Sequence, residues 1–390
     1  MHLSYAQRTQ TLKPEGAYHV LARAQSLEAL GREIIHLEIG QPDFDTFAPI
    51  RAAGIESIEA GHTRYNPPAG IPELRAAIAE DAGKRRGLTF SPEQVIVSPG
   101  AKPNLFFPVL ALVEPGDEVI YPDPGFPTYV AMIHVAGGTP VPVPLDEERG
   151  FSFDMQAFSE KVSDRTKLII LNSPGNPTGG VMSEADLEEI AGAARAHECW
   201  VMSDEIYSRL HYLDGELPTI LRLPGMEART ILVDGFSKTY AMTGWRLGYG
   251  IMPVELAQRV ALLLTHSIGC TAHFTQYAGL QAVTGSQAEV DAMVAVYRSR
   301  RDRLVEGLNA ISGVSCAEPQ GAFYAFPNVS TFGLTSDDLA DQILEQAGVA
   351  LLPGTAFGAN GEGFLRISYA NSIENIELAL ERLARFFGTL

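Results

Sequence analysis

An alternation running through the middle of the chain restricts its fold more than any other feature. Apolar runs of strand length recur at residues 94–97, 118–121, 140–143, 168–171, 200–202, 231–233 and 248–251. Between most of them lie stretches of helical length and period, such as 184–196. Apolar strands alternating with amphipathic helices are the repeating unit of an α/β layer, whose strands are buried on both faces. The expectation is a large domain with a mostly parallel, seven-stranded sheet sandwiched by helices.

After about residue 285 the texture changes. Val290, Met293, Val294, Tyr297, Leu304, Val305, Leu308 and Ile311 keep helical spacing and predict one long amphipathic helix. Short strands at 322–326, 350–352 and 364–369 then interleave with helices near 336–346 and 374–387, the pattern of a smaller α+β domain. The expected division is an N-terminal segment over 1–45, a large domain over 46–285 and a small domain over 286–390.

Open α/β sheets bind ligands where strands end, so the residues after each run carry most of the chemistry. The run 231–233 leads into Gly235-Phe236-Ser237-Lys238-Thr239-Tyr240-Ala241-Met242-Thr243-Gly244-Trp245-Arg246. An amine at Lys238 can bond covalently to an aldehyde, while Ser237 and Arg246 can hold an anion such as a phosphate. Pyridoxal phosphate makes both demands of a protein. The run 168–171 leads into Asn172-Ser173-Pro174-Gly175-Asn176-Pro177-Thr178-Gly179-Gly180. Proline and glycine at this density fix an unusual loop, from which Asn176 can donate to a phenolate-like ring oxygen. The run 200–202 ends in Asp204-Glu205, and an aspartate beside a pyridine nitrogen keeps that nitrogen protonated. Tyr207 follows three residues later, within reach of the same ring. Ser98-Pro99-Gly100-Ala101-Lys102 opens a helix predicted over 104–112, and the free amides of Gly100, Ala101 and Lys102 suit the phosphate.

With these motifs in this order, the chain resembles a fold-type I pyridoxal-phosphate aminotransferase of the class I/II group. It is similar in particular to the bacterial aspartate aminotransferase subgroup that includes prephenate, aromatic and kynurenine-type enzymes. The resemblance runs from about Lys13-Pro14 to the C-terminus. It includes Gly-Gln-Pro-Asp-Phe at 40–44, Tyr-Asn-Pro-Pro-Ala-Gly at 65–70, Pro-Gly-Asp-Glu-Val at 115–119, Gly-Ala-Phe-Tyr at 321–324 and Leu-Arg-Ile-Ser-Tyr-Ala at 365–370.

The resemblance implies ping-pong transfer of an amino group between an L-amino acid and a 2-oxo acid, with Lys238 moving the substrate's α-proton. It implies that Arg246, eight positions after Lys238, grips the phosphate, and that Phe126 stacks on the cofactor ring where many relatives carry Trp. It also implies a homodimer in which Tyr65 reaches the partner's site, and an N-terminal segment packed on the small domain. Arg366 sits inside an otherwise apolar run, where a guanidinium is costly unless paired. A salt bridge to a neighbouring acid is one account of it. The resemblance assigns Arg366 instead to the substrate's α-carboxylate, with Asn176 and the Gly40 backbone helping. Lys102 matches a lysine that in some members also meets the distal carboxylate of acidic substrates. Relatives with that preference tend to carry a small hydroxyl residue where this chain has Glu15. Acidic and broad or aromatic preferences therefore stand level, with glutamate/2-oxoglutarate or aspartate/oxaloacetate expected as one pair.

Composition narrows the partners. With 47 acidic against 29 basic residues the net charge is −18, which opposes binding to nucleic acid or an anionic membrane. No uncharged run approaches the roughly 20 residues needed to span a bilayer. The three cysteines, Cys199, Cys270 and Cys316, are far apart and read as reduced thiols of the core of a cytoplasmic protein. No metal is expected, because the nine histidines are scattered and form no His-Glu-x-x-His pair. The alternatives are a carbon–sulfur β-lyase of the same fold and a non-catalytic pyridoxal-phosphate-binding sensor.

Overall fold

The structure, a computed structural model, describes residues 5–10, 12, 14 and 16–390. The readings that involve Lys13 and Glu15 fall outside the described residues. Strand β1 (Ile35–His36) lies near the N-terminus. The large sheet follows, built from β2 (Val95–Ser98), β3 (Glu118–Asp123), β4 (Thr139–Asp146), β5 (Ser152–Phe153), β6 (Thr166–Asn172), β7 (Trp200–Asp204), β8 (Thr230–Gly235) and β9 (Gly248–Ile251). Its strand order is β2-β9-β8-β7-β6-β3-β4-β5. The β4–β3–β6–β7–β8 block is parallel, and β9 runs antiparallel to both of its neighbours. All seven strands read from the sequence are present. The eighth, β5, is a two-residue edge strand paired antiparallel to β4 and too short to register as an apolar run.

Burial explains why these runs are strands. Leu168, Ile169 and Ile170 of β6 are fully buried, each worth roughly 2 kcal/mol of transfer free energy. Helices cover both faces. The helix Glu184–Ala196 has the bounds read from the sequence, begins where Ser183 accepts the amide of Asp186, and buries Leu187, Ile190 and Ala194.

A second core forms around the C-terminal third. Strands β10 (Tyr324–Ala325), β12 (Leu352–Pro353) and β13 (Leu365–Ser368) make an antiparallel sheet of order β10-β13-β12, while β11 (Val349–Ala350) pairs parallel with β1. The single strand expected over 350–352 is thus two short ones that serve different sheets. The long helix spans Ala288–Asn309 and bridges two cores: Val290 packs with the large sheet, whereas Met293, Tyr297, Leu304 and Leu308 pack with the second. Ile311 lies beyond its end. The helix expected over 336–346 runs as an α-helix to Gln342 and then widens into a π-turn, Ile343–Ala347. The helix Gly16–Ala29 buries Ala24 against Leu344 and Ala350, with Val20 and Leu27 packed alongside. Cys199 and Cys316 are buried, but Cys270 is only half-buried, so it is not the core residue expected. Among the described residues no helix is long and apolar enough to cross a membrane.

Candidate active site

The parallel strands end at one edge of the large sheet, and β9, running the other way, begins there. Residues after β2, β3, β6, β7 and β8 therefore meet Arg246, which stands two residues before β9. They surround a cavity of about 800 Å³. Its walls include Gly40, Ala101, Lys102, Phe126, Asn176, Asp204, Tyr207, Ser237, Lys238, Arg246 and Arg366. Eleven of the residues singled out from the sequence are thus brought together from separated segments. Gly100 lies behind the wall. Its φ is +85°, and a Cβ there would fall 2.3 Å from Nη2 of Arg246, so only glycine lets the loop pass under the guanidinium. Tyr65 does not line this cavity and is 96% exposed.

Each wall has a local cause. The helix Lys102–Leu112 has no side-chain cap at its start, which leaves the positive end of its dipole on the cavity. Arg246 adopts a left-handed backbone, φ 53°, and its Nη1 donates to the Thr243 carbonyl at 2.9 Å. The Asn172–Gly180 loop contains two cis prolyl bonds, at Pro174 and Pro177. It is tied to β7 by Asn172, whose Nδ2 donates to the Asp204 carbonyl at 3.0 Å and whose Oδ1 accepts the Asn176 amide at 2.8 Å. Lys238 Nζ donates to the Gly40 carbonyl at 2.5 Å and lies 6.0 Å from the centre of the Tyr207 ring. Lys102 Nζ lies 5.2 Å from the centre of the Phe126 ring.

The acidic pair at the end of β7 is divided. Asp204 faces the cavity, while Glu205 turns away to the buried Arg86, which donates through Nε at 3.0 Å and Nη2 at 2.6 Å. Burial pushes the Asp204 carboxyl up to about 6, helped by the negative charges of Asp234 and Glu205. The Tyr129 hydroxyl, donating to Oδ2 at 2.7 Å, and the Ile206 amide oppose that rise. Arg366 is buried, donates through Nη1 to Asn176 Oδ1 at 3.2 Å and through Nη2 to the Glu38 carbonyl, and lies between the rings of Tyr324 and Phe357.

Comparison with known proteins bears on what this cavity serves. Residues 32–383 match the family described as aminotransferase class I and II. The chain belongs to that family. A probable aspartate/prephenate aminotransferase of Aquifex aeolicus is 40% identical over 99% of both chains. Aspartate aminotransferase from Thermus thermophilus with maleate superposes with a TM-score of 0.94, at 40% identity over 98% of this chain and all of that one. An aromatic aminotransferase from Pyrococcus horikoshii OT3 superposes at 0.90, with 39% identity over 94% of this chain and 99% of that one. The aminotransferase depends on pyridoxal phosphate, and the residues present fit the group. A buried carboxylate at Asp204, an amine at Lys238 and an arginine beside a helix N-terminus surround one cavity of sufficient size.

Three further residues of the aminotransferase site were not singled out from the sequence. Tyr129 holds Asp204, Asn172 ties the loop of Asn176, and Tyr324 places its hydroxyl 2.8 Å from that of Tyr207. Asn172 and Tyr324 stand inside motifs already quoted and Tyr129 lies three residues after Phe126, but each reads as an ordinary loop or core residue until its partner is known.

Proposed function

We propose that the enzyme moves an amino group between an L-amino acid and a 2-oxo acid, with glutamate/2-oxoglutarate or aspartate/oxaloacetate as one pair. The observation that carries this reading is the convergence of Lys238, Asp204, Arg246 and Arg366 on one cavity. Gly100, Ala101, Lys102, Ser237 and Arg246 would hold the phosphate, Phe126 the ring face, Asp204 the ring nitrogen, and Asn176 with Tyr207 the ring oxygen. When bound, pyridoxal phosphate supplies an electron sink for the substrate's α-carbon. Arg366 takes the α-carboxylate in a bidentate grip, and Asn176 orients the guanidinium. Lys238 Nζ, on the cavity wall beside the Gly40 carbonyl, would take the substrate's α-proton as base and give it back as acid. Asp204 would hold the ring nitrogen, and a positive charge there would offset the burial that otherwise raises its carboxyl. Lys102, on the cavity wall, would meet a distal carboxylate. The aspartate/prephenate and aspartate activities named for the Aquifex and Thermus relatives support the acidic pair, and the aromatic activity named for the Pyrococcus protein supports an aromatic second substrate.

The same reading takes residues 46–285 as the cofactor domain and the terminal segments, 1–45 and 286–390, as the smaller one. It takes the working form as a cytoplasmic homodimer in which Tyr65 completes the partner's site. The exposure of Tyr65, and of Ile55 and Ile58 on the helix Ala48–Glu59, supports a covering copy. A half-reaction panel tests the chemistry: holoenzyme mixed with single amino acids should lose its visible band with glutamate or aspartate and release one equivalent of 2-oxo acid. Continuous pyruvate release with ammonia or sulfide and no acceptor would mean a lyase.

A further inference from the structure

The hairpin that carries Arg366 is anchored at a point none of the assigned roles explains. Strands β12 and β13 are joined by residues 354–364, two tight turns whose tip reaches the large sheet. There the tip meets Asp123, the last residue of β3. Asp123 is buried, and its Oδ1 accepts the Asn360 amide at 3.2 Å. Burial raises the Asp123 carboxyl, while hydrogen bonds from Asn360 and Ala359 and the charge of Lys161 pull it back. Gly358 packs so closely that a Cβ would lie 1.9 Å from Asp123 Oδ1, and its φ of +135° suits glycine. Two residues further along the same strand end, the Gly125 amide donates to the Phe357 carbonyl at 2.8 Å. Phe357 in turn lies under Arg366, with the guanidinium 4.8 Å from its ring centre.

We propose that Asp123 is a positioning residue for Arg366. Its carboxylate fastens the tip of the β12–β13 hairpin to the end of β3 and so fixes the ring on which the guanidinium rests. The segment that clamps the hairpin also carries Phe126, so the cofactor wall and the carboxylate-gripping arginine share one mechanical reference. Without the anchor the hairpin keeps its antiparallel pairing, Leu352 with Arg366 and Pro353 with Leu365. Its tip, however, loses the acceptor that sets its height over the cavity. The inference rests on the reading of Arg366 as the group that binds the substrate's α-carboxylate.

The test compares holoenzymes of wild type, Asp123→Ala, Asp123→Asn, Gly358→Ala, Arg366→Ala and the Asp123→Ala/Arg366→Ala double variant. Asp123→Ala should raise KM for the amino acid about tenfold, the scale of one lost charge-assisted hydrogen bond, with kcat and the visible band little changed. Asp123→Asn keeps an acceptor oxygen and should restore KM. Gly358→Ala should raise KM as Asp123→Ala does, and it carries the test if Asp123→Ala does not fold. In the Arg366→Ala background Asp123→Ala should add nothing further. An unchanged KM in Asp123→Ala beside a strongly raised one in Arg366→Ala overturns the anchor alone, as does an equal Asp123→Ala effect in both backgrounds. An unchanged KM in Arg366→Ala overturns the assignment of Arg366 itself, and the anchor with it.

Discussion

The phenol oxygens of Tyr207 and Tyr324 lie 2.8 Å apart, and the guanidinium of Arg366 sits 4.5 Å from the centre of the Tyr324 ring. Both tyrosines are buried, and burial raises both hydroxyls. Neither will ionise near neutrality, so each keeps its own proton and one hydroxyl donates to the other, leaving the second proton to donate elsewhere. If Tyr207 donates to the cofactor's ring oxygen, Tyr324 is left to donate to Tyr207, which strengthens the outgoing bond. Tyr324→Phe removes that support. The pKa read from the visible band should rise by roughly half a unit, the worth of a neutral hydrogen bond at about 0.5–1.5 kcal/mol shared along the chain. A spectrophotometric titration of wild type and variant checks it, and an unmoved pKa would disconnect Tyr324 from the ring.

Asp204 makes the apoenzyme pH-sensitive. Its carboxyl is held at about 6 in the folded chain, above its usual range near 3.9 when unfolded. The folded state therefore binds the proton more tightly. The stabilisation this gives is complete below about pH 4 and is lost as pH rises through about 6, a change of roughly 3 kcal/mol. Apoenzyme carrying Asp204→Asn should escape that loss. Urea denaturation of both apoproteins should show wild type falling relative to the variant between pH 4.5 and 7.5. Parallel curves would remove the buried charge from the account.

Lys238→Ala tests the assignment on which the chemistry turns. Borohydride followed by denaturation should leave cofactor bound to wild type and none to the variant. Transamination should drop at least about 10³-fold, the range for losing a positioned acid–base group. Full activity in the variant would end the role given to Lys238.

How far the sequence discloses this enzyme depends on what each residue needs from its neighbours. The β6 run 168–171 is legible because it is apolar on both faces whatever packs on it. Lys238, Asp204 and Asn176 are legible because polar residues directly after such runs stand at the ligand edge of a parallel sheet. Tyr129, Tyr324 and Asp123 are not, since their parts depend on distant partners at positions 204, 207 and 360. The two tyrosines look like any aromatic in an apolar stretch, and Asp123 like any polar residue at a strand end. The break at Leu351 is equally hidden, because Val349–Ala350 and Leu352–Pro353 share one apolar pattern while pairing in different sheets. The two-residue β5 carries too little sequence to show a period.

Glu205 and Arg86 give the sharpest expectation for stability. Glu205 Oε2 receives both Nε and Nη2 of Arg86, and Oε1 accepts the hydroxyls of Ser203 at 3.0 Å and Thr219 at 2.9 Å. Each side chain is about 95% buried or more, so losing one partner leaves the other charge poorly solvated. Arg86→Met leaves the carboxylate buried with two hydroxyl donors and no cation, at a cost of about 3–5 kcal/mol. Replacing both, as Arg86→Met/Glu205→Leu, removes the stranded charge and should recover most of that loss, although the Ser203 and Thr219 hydroxyls then lose their acceptor. Because Glu205 faces away from the cavity, the single variant should still bind cofactor and show the visible band. Chemical denaturation of the three proteins decides it. A double variant no more stable than Arg86→Met would mean that the pair contributes through packing rather than through mutual neutralisation.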